Sequence, residues 1–318
     1  MPDRREAGPH TVSAAPLIAW LDQRLADAGL TRTGDVEEGS VRPWATVLRV
    51  PASGGPLWLK ATGPEMAFEA GLYDLLVRVA PERVLTPIAV DVARGWILLP
   101  DGGPTLGDRL RGRELVGAVA HALPRYAELQ RAVAPHVGEL LAAGVPDMRP
   151  ARMPARFEEA VDAVRGRVDV KPFEALRPTV AEWCARLGGA RVPASVDHND
   201  LHAWNVLGDD DDVRFYDWGD AAVAHPFATM LALGWFPMEE ADVLRLRDAY
   251  LEPFGDLAPH SDLVEELELA CRVGKIARAL TWHRAVSASG PGEVDEKWLS
   301  GAPEALTSLL EDTWLGRV

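Results

Sequence analysis

Between Val196 and Asp220 lie two short apolar runs, Asn205 to Leu207 and Val213 to Tyr216, on either side of Gly208 and four consecutive aspartates. Apolar runs of that length, separated by a glycine and turn-forming aspartates, read as two strands of a hairpin. This hairpin constrains the chain more than any other feature, because it lets Asp200, Asn205 and Asp217 converge at one of its ends. Three oxygen-bearing side chains then face one small volume. Asp209 to Asp212 themselves read as a solvated turn. His198 and His202 have the spacing of a zinc pair, but no Glu stands between them, the segment carries loop signals and no third soft ligand is near. His198 is therefore read as a structural histidine that hydrogen-bonds the loop backbone.

A carboxylate five residues before an Asn, followed by another carboxylate at the end of the next strand, matches the protein-kinase pattern. Phosphoryl transfer needs hard oxygen ligands to hold Mg²⁺ on the phosphates and one carboxylate to orient the attacking hydroxyl. On that division of labour Asp200 is the base and Asn205 and Asp217 are the metal ligands. The stretch His198-Asn199-Asp200-Leu201-His202-Ala203-Trp204-Asn205, with Asp217-Trp218 after it, resembles the aminoglycoside phosphotransferase family, the small-molecule branch of the kinase-like fold. That family typically reads His-Gly-Asp-Leu-His-Pro-Gly-Asn, then Asp-Trp and an acidic residue. Here Asn199, Ala203 and Trp204 replace Gly, Pro and Gly, and Gly219-Asp220 moves the second acidic residue by one. His225 to Thr229 stands where many members carry two further carboxylates.

The resemblance implies ATP or GTP with Mg²⁺ as cofactors and assigns further residues. Lys60, in the third predicted strand, corresponds to the lysine that neutralises nucleotide phosphates. Glu69 on the following helix is its expected ion-pair partner, preferred to Glu65 one turn earlier. The linker Pro100-Asp101-Gly102-Gly103-Pro104 corresponds to the hinge, with the carbonyl of Pro100 and the N–H of Gly102 meeting the polar edge of the base. The loop Gly39 to Trp44 is expected over the phosphates but is not Gly-rich. Ser40 and Arg42 could donate there, or the segment could be a rigid turn under Trp44. Gly274-Lys275-Ile276 lies in a helical stretch and is no P-loop.

A small antiparallel sheet is predicted from Val36 to Val41, Ala45 to Val50, Leu57 to Ala61, Leu85 to Val90 and Gly95 to Leu99. An amphipathic helix over Leu17 to Leu30 is expected on its outside, after a loose arm from Pro2 to Ala15. A helix is expected from Pro64 to Ala80, and after residue 100 the pattern turns helical, with Pro124 expected to separate Arg113–Leu123 from Arg125–Val133. The expected architecture is a two-lobed, protein-kinase-like α+β fold. Residues 1–100 form the nucleotide-binding sheet lobe with its leading helix, and residues 101–318 the helical lobe with the catalytic hairpin and acceptor site.

Composition excludes several classes. A net charge of −15 without clustered Lys and Arg argues against nucleic acid as partner. The longest apolar run, Phe227 to Met238, is shorter than the ~18 residues a membrane span needs. Two cysteines, Cys184 and Cys271, make no disulfide framework, and Met1 to His10 lacks the apolar core of a signal peptide, so a cytoplasmic location is expected. The resulting reading is a kinase that moves a γ-phosphoryl group to a hydroxyl of a small molecule, such as an aminoglycoside or amino sugar. The alternatives are a non-catalytic nucleotide- or ligand-binding relative and a metal-dependent hydrolase using Asp200, His202 and Asp217. Asp220, with Glu239, Glu240 and Asp242 at the start of a later helix, would by the same resemblance give a cationic acceptor an acidic surface. For the helical three, simple complementation of the helix dipole competes with that role.

Overall fold

The computed structural model describes residues 14–209, 212–235, 238–287, 294–311 and 313–315. The arm expected from Pro2 lies outside the described residues as far as position 13, as do Asp210 and Asp211 in the aspartate run. Helix α1 (Ala14–Asp27) places Leu17, Leu21 and Leu25 at four-residue intervals, so they form one stripe. That stripe packs with Val50, Leu57, Leu59, Ala61 and Leu98 on one face of the sheet, as the amphipathic pattern requires.

The sheet has five antiparallel strands in the order β1-β2-β3-β5-β4, namely β1 (Glu37–Arg42), β2 (Ala45–Val50), β3 (Leu57–Thr62), β4 (Ala89–Asp91) and β5 (Trp96–Pro100). Strand alternation decides where Lys60 points. Leu57, Leu59 and Ala61 face α1, so Trp58, Lys60 and Thr62 face the other way. Two expectations are corrected here. Residues 39–42 do not form a loop, because Ser40, Val41 and Arg42 pair with Val47, Thr46 and Ala45, leaving only Pro43-Trp44 as the turn. A bulge at Gly39 makes this possible, since a β-carbon there would lie 2.9 Å from the Trp58 ring. The strand expected from Leu85 is shorter than its apolar run. Pro87 has no N–H to give a ladder, and the first bond to β5 runs from Ile88 N to Leu98 O at 2.7 Å.

A single turn of 3₁₀ helix, Pro64–Met66, leads into α2 (Phe68–Val79), which buries Glu69 in its first turn. After β5, Gly102 packs so closely on Leu207 that an added β-carbon would sit 2.4 Å from it. The helices that follow are α3 (Leu106–Arg109), α4 (Gly112–Val133), α5 (Val137–Ala142), α6 (Met153–Ala163) and α7 (Lys171–Gly188). Pro124 does not divide α4 as expected. A proline deletes one backbone hydrogen bond, and here Leu123, Tyr126, Ala127 and Gln130 bury the helix on both sides of that point, which outweighs the loss.

The stretch that carries Asp200 lies among two pairs of short strands. β6 (Ser195–Asp197) pairs with β9 (Ala222–Ala224), and β7 (Val206–Leu207) pairs with β8 (Arg214–Phe215), so the hairpin read from the sequence is present. Beyond it come a 3₁₀ segment Pro226–Trp235, α8 (Glu240–Leu251), α9 (His260–Ser287), α10 (Glu296–Leu299) and α11 (Gly301–Thr307). One apolar core runs from Met66, Tyr73 and Leu99 through Tyr126 and Trp218 to Tyr250 and Ile276. Lys275 is buried on α9 and donates to the carbonyls of Ser308 and Thr313 at 2.9 and 2.7 Å, so it ties down the last stretch of chain. Among the described residues no helix is long and apolar enough to cross a membrane.

Candidate active site

A cleft of about 840 Å³ opens between the sheet and the helices that follow it. Lys60, Glu69, Pro100, Gly102, Asp200 and Asp217 all line it. Asn205 stands just behind, buried, and its side-chain amide donates to the carbonyl of Asp200 at 2.8 Å and to Asp200 Oδ2 at 3.3 Å. The seven residues assigned from the sequence to proton transfer, metal and nucleotide therefore gather at one cleft. At the end nearest Pro100 and Gly102 the walls are apolar, from Leu85, Leu99 and Leu207, with Tyr216 beside them.

Lys60 is the pivot of the charged end. Its Nζ lies 2.8 Å from Glu69 Oε2 and 2.5 Å from Asp217 Oδ1, so one ammonium bridges α2 and the end of β8. Burial lowers the lysine's proton affinity, but Asp217 and Glu69 together outweigh it and hold the pKa above its ordinary value. Burial pushes Glu69 up to about 6 against the pull of Lys60, whereas for Asp217 the same ammonium overcomes burial and keeps the carboxyl below the usual range. Gly219 explains the displaced acidic residue. A β-carbon there would lie 3.2 Å from Lys60 Nζ and 3.3 Å from Glu69 Oε2, so any side chain would crowd the ion pair.

The loop before Asp200 is held from below. Asn199 has φ +59°, a left-handed conformation that glycine adopts freely and asparagine tolerates better than most residues. Its side chain repays the strain by donating to Thr281 Oγ1 at 2.9 Å and to the carbonyl of Asp220 at 3.3 Å. His198 behaves as the structural histidine expected of it. Burial lowers it to about 4, so the ring is neutral and Nε2–H donates to the carbonyl of Tyr216 at 2.9 Å. Asp197, equally buried, is pushed up to about 7 by desolvation, against the hydrogen bond from Asn199 N at 2.9 Å.

A pH prediction follows from Asp197. A carboxyl whose folded pKa is raised binds its proton more tightly folded than unfolded, so the stability it contributes is complete below about pH 4 and is lost as pH rises to about 7. Asp197→Asn keeps the acceptor for Asn199 N and removes the titration. Chemical denaturation should show the variant gaining on the parent by on the order of a few kcal/mol between those limits. A constant difference across that range would contradict the account.

Asp200, Asp217 and Asp220 form an acidic cluster at the cleft floor. Asp220 is raised to about 6, first by burial and then by the charge of Asp200, with Arg278 opposing and Asp217 adding to the rise. Such an excess of negative charge is what a divalent cation relieves, and the donors fit one. A carboxylate from Asp217 and the amide oxygen of Asn205 are hard ligands of the kind Mg²⁺ takes alongside phosphate oxygens and water. Among the described residues no group of three or more His, Cys, Asp and Glu side chains is gathered to hold a metal by itself.

Arg278, Trp282 and Trp298 were given no role from the sequence, and Arg42 and Trp44 only alternative ones. Arg278 on α9 is buried and reaches Asp200. The indole of Trp204 covers Gly107, where a β-carbon would stand 2.4 Å from the ring. At the far end from Pro100, Trp44 meets Trp282 at 6.3 Å and Trp298 at 5.1 Å between ring centroids, and Arg42 lies over Trp298 at 5.2 Å. The acidic surface expected on α8 is corrected. Glu239 and Glu240 are exposed and Asp242 half-buried at that helix's start, and none of them lines the cleft, because α8 packs against α4. Asp220 does line it.

The sequence itself places this fold among the phosphotransferases. The model of the phosphotransferase enzyme family matches residues 31–267, and the chain belongs to that family. It is an enzyme of the small-molecule kinase class with an alcohol group as acceptor. Among solved structures, a macrolide 2′-phosphotransferase from Brachybacterium faecium, in its apoenzyme form, is 20% identical, with a TM-score of 0.56 over 87% of this chain and 99% of its own. A choline kinase from Streptococcus pneumoniae is 13% identical, with a TM-score of 0.63 over 92% of this chain and 99% of its own. A spectinomycin phosphotransferase, solved in complex with ADP and spectinomycin, is 11% identical, with a TM-score of 0.52 over 92% of this chain and 97% of its own. At these identities the likeness concerns the fold. No curated protein matches the sequence significantly.

Proposed function

We propose that the enzyme transfers the γ-phosphoryl group of ATP or GTP to a hydroxyl of a small molecule that has an apolar face and at most one positive charge. The observation that carries the transfer is the arrangement of Lys60, braced by Glu69, opposite Asp200 in one cleft. Residues through 100 act as the nucleotide lobe and residues 101–318 as the catalytic and acceptor lobe. The base would be held between Leu99 and Leu207, with the Pro100 carbonyl and the Gly102 N–H meeting its polar edge. Lys60 leaves Asp217 for the phosphates and remains anchored by Glu69. Asn205 and Asp217 would hold Mg²⁺, which would supply neutralisation of the nucleotide's phosphate charge. Asp200 accepts the proton of the acceptor hydroxyl as its oxygen bonds to phosphorus and the nucleoside diphosphate leaves.

The acceptor's character rests on the walls beyond Asp200. Trp44 and Trp282 supply apolar surface there, and the cations Arg42 and Arg278 offset Asp200 and Asp220, so a polycation gains little. A panel of neutral and monocationic alcohols with apolar rings should outperform polycationic aminoglycosides in kcat/KM. Trp282→Ala should raise the KM of the best acceptor roughly 10-fold or more, as loss of a buried aromatic contact does. Polycations as the best acceptors would overturn this part of the proposal and leave the phosphoryl transfer itself standing.

A further inference from the structure

The longest helix of the protein, α9, carries a guanidinium into the floor of the cleft. Arg278 has only 4% of its side chain exposed. A charge buried to that degree is strongly unfavourable unless fixed partners meet it, and Asn199, Asp200 and Asp220 in and beside the catalytic loop meet this one. Nη1 donates to the carbonyl of Asn199, and Nη2 donates to Asp200 Oδ1 at 3.1 Å. Asp220 Oδ2 lies 3.8 Å away, and the guanidinium sits 5.6 Å over the ring of Trp282. One turn further along α9, Thr281 receives the Asn199 side chain. The left-handed residue that launches Asp200 is thus gripped through its carbonyl and through its side chain by the same helix.

We infer that Arg278 is a positioning residue for phosphoryl transfer, clamping Asp200 from α9 so that one carboxylate oxygen is held and the other is presented to the acceptor hydroxyl. The inference rests on the role of Asp200 proposed above. Oδ1 is occupied by Arg278, whereas Oδ2 faces the Asn205 amide at 3.3 Å and His202 Nε2 at 3.5 Å. A planar guanidinium bonding a carbonyl and a carboxylate at once fixes both position and angle, which an ammonium cannot do. In the reaction the hydroxyl proton passes to Asp200, the hydroxyl oxygen bonds to the γ-phosphorus, and the β–γ bridging bond breaks with its electron pair leaving on the nucleoside diphosphate. Arg278 neither gains nor loses a proton. Asn199 belongs to the same device: it tolerates the left-handed backbone and adds a side-chain tie to α9 that glycine could not make.

Because Arg278 acts through Asp200, the two should be non-additive. The test measures ATP turnover with the best acceptor of the panel, together with Mg-ATP affinity, in Arg278→Met, Arg278→Lys, Asp200→Asn and the Arg278→Met/Asp200→Asn double variant. Arg278→Met should lower kcat roughly 10²-fold, the size of effect that a misplaced reacting group produces, with Mg-ATP affinity within about threefold of the parent. Arg278→Lys should recover part of the loss, and in the Asp200→Asn background Arg278→Met should cost less than about threefold more. Adding guanidinium ion to Arg278→Ala should restore part of its turnover, an effect that a general loss of folding would not show. Additive losses, or an equal fall in nucleotide affinity, would overturn the inference. So would full activity in Arg278→Met beside an inactive Asp200→Asn. Full activity in Asp200→Asn itself would instead remove the reading of Asp200 on which the inference stands.

Discussion

Asp200→Asn should lower kcat by roughly 10²- to 10⁴-fold while leaving Mg-nucleotide affinity close to that of the parent, the range expected when a positioned proton acceptor is removed. The substitution is nearly isosteric, and the surroundings can adapt to it. An amide oxygen can still accept from Arg278 Nη2, and the Asp200 backbone carbonyl that anchors Asn205 is untouched. The loss should therefore be confined to turnover, and isothermal titration with Mg-ATP beside steady-state kinetics separates the two quantities. If affinity fell as far as turnover, Asp200 would belong to the nucleotide site and the division of labour in the cleft would be wrong.

Lys60→Met should damage both stability and activity. Glu69 has 1% of its side chain exposed and loses the cation it pairs with, and breaking a buried pair from one side typically costs about 3–5 kcal/mol. Protonation offers Glu69 partial relief, since burial already raises its pKa to about 6 in the parent. The variant's extra instability should therefore shrink at acid pH and grow as pH rises, because the neutral carboxyl is the form the buried site accepts. Adding Glu69→Gln should restore most of the stability at neutral pH and none of the activity, because no ammonium is left for the phosphates. Denaturation midpoints and turnover measured on both variants would show it. Recovery of activity in the double variant would place the phosphate cation elsewhere.

The hairpin that brings Asp200, Asn205 and Asp217 together was legible because the residue types that the proposed reaction needs are compressed into one short stretch. Lys60 and Glu69 were legible for a different reason. Strand alternation and helix periodicity fix which face each occupies, so a short stretch of sequence suffices to aim them at one another. Where long-range packing decides, local signals misled. Pro124 reads as a breaker, yet α4 continues through it because buried residues on both sides outweigh one lost hydrogen bond. Gly39 to Arg42 reads as a loop, yet cross-strand pairing with β2 carries the strand to the turn. The acidic start of α8 is near the hairpin in sequence but stays out of the cleft, because the rest of that helix packs on α4. Arg278 lies 78 residues from Asp200, and the sole local sign of it was a pair of cations, Lys275 and Arg278, inside an otherwise apolar helix face. Both proved buried, one on the chain's end and the other on the catalytic loop.

The central claim is that this cleft moves a phosphoryl group from a nucleoside triphosphate to an alcohol. It is tested most directly by incubating the enzyme with Mg²⁺, γ-phosphate-labelled ATP or GTP and a panel of hydroxylated small molecules, with Asp200→Asn in parallel. Label should appear on an organic acceptor, with one nucleoside diphosphate released per phosphoryl transferred and little label transfer by the variant. Release of product from a phosphate or amide substrate without any nucleotide, with no label reaching an acceptor, would contradict it.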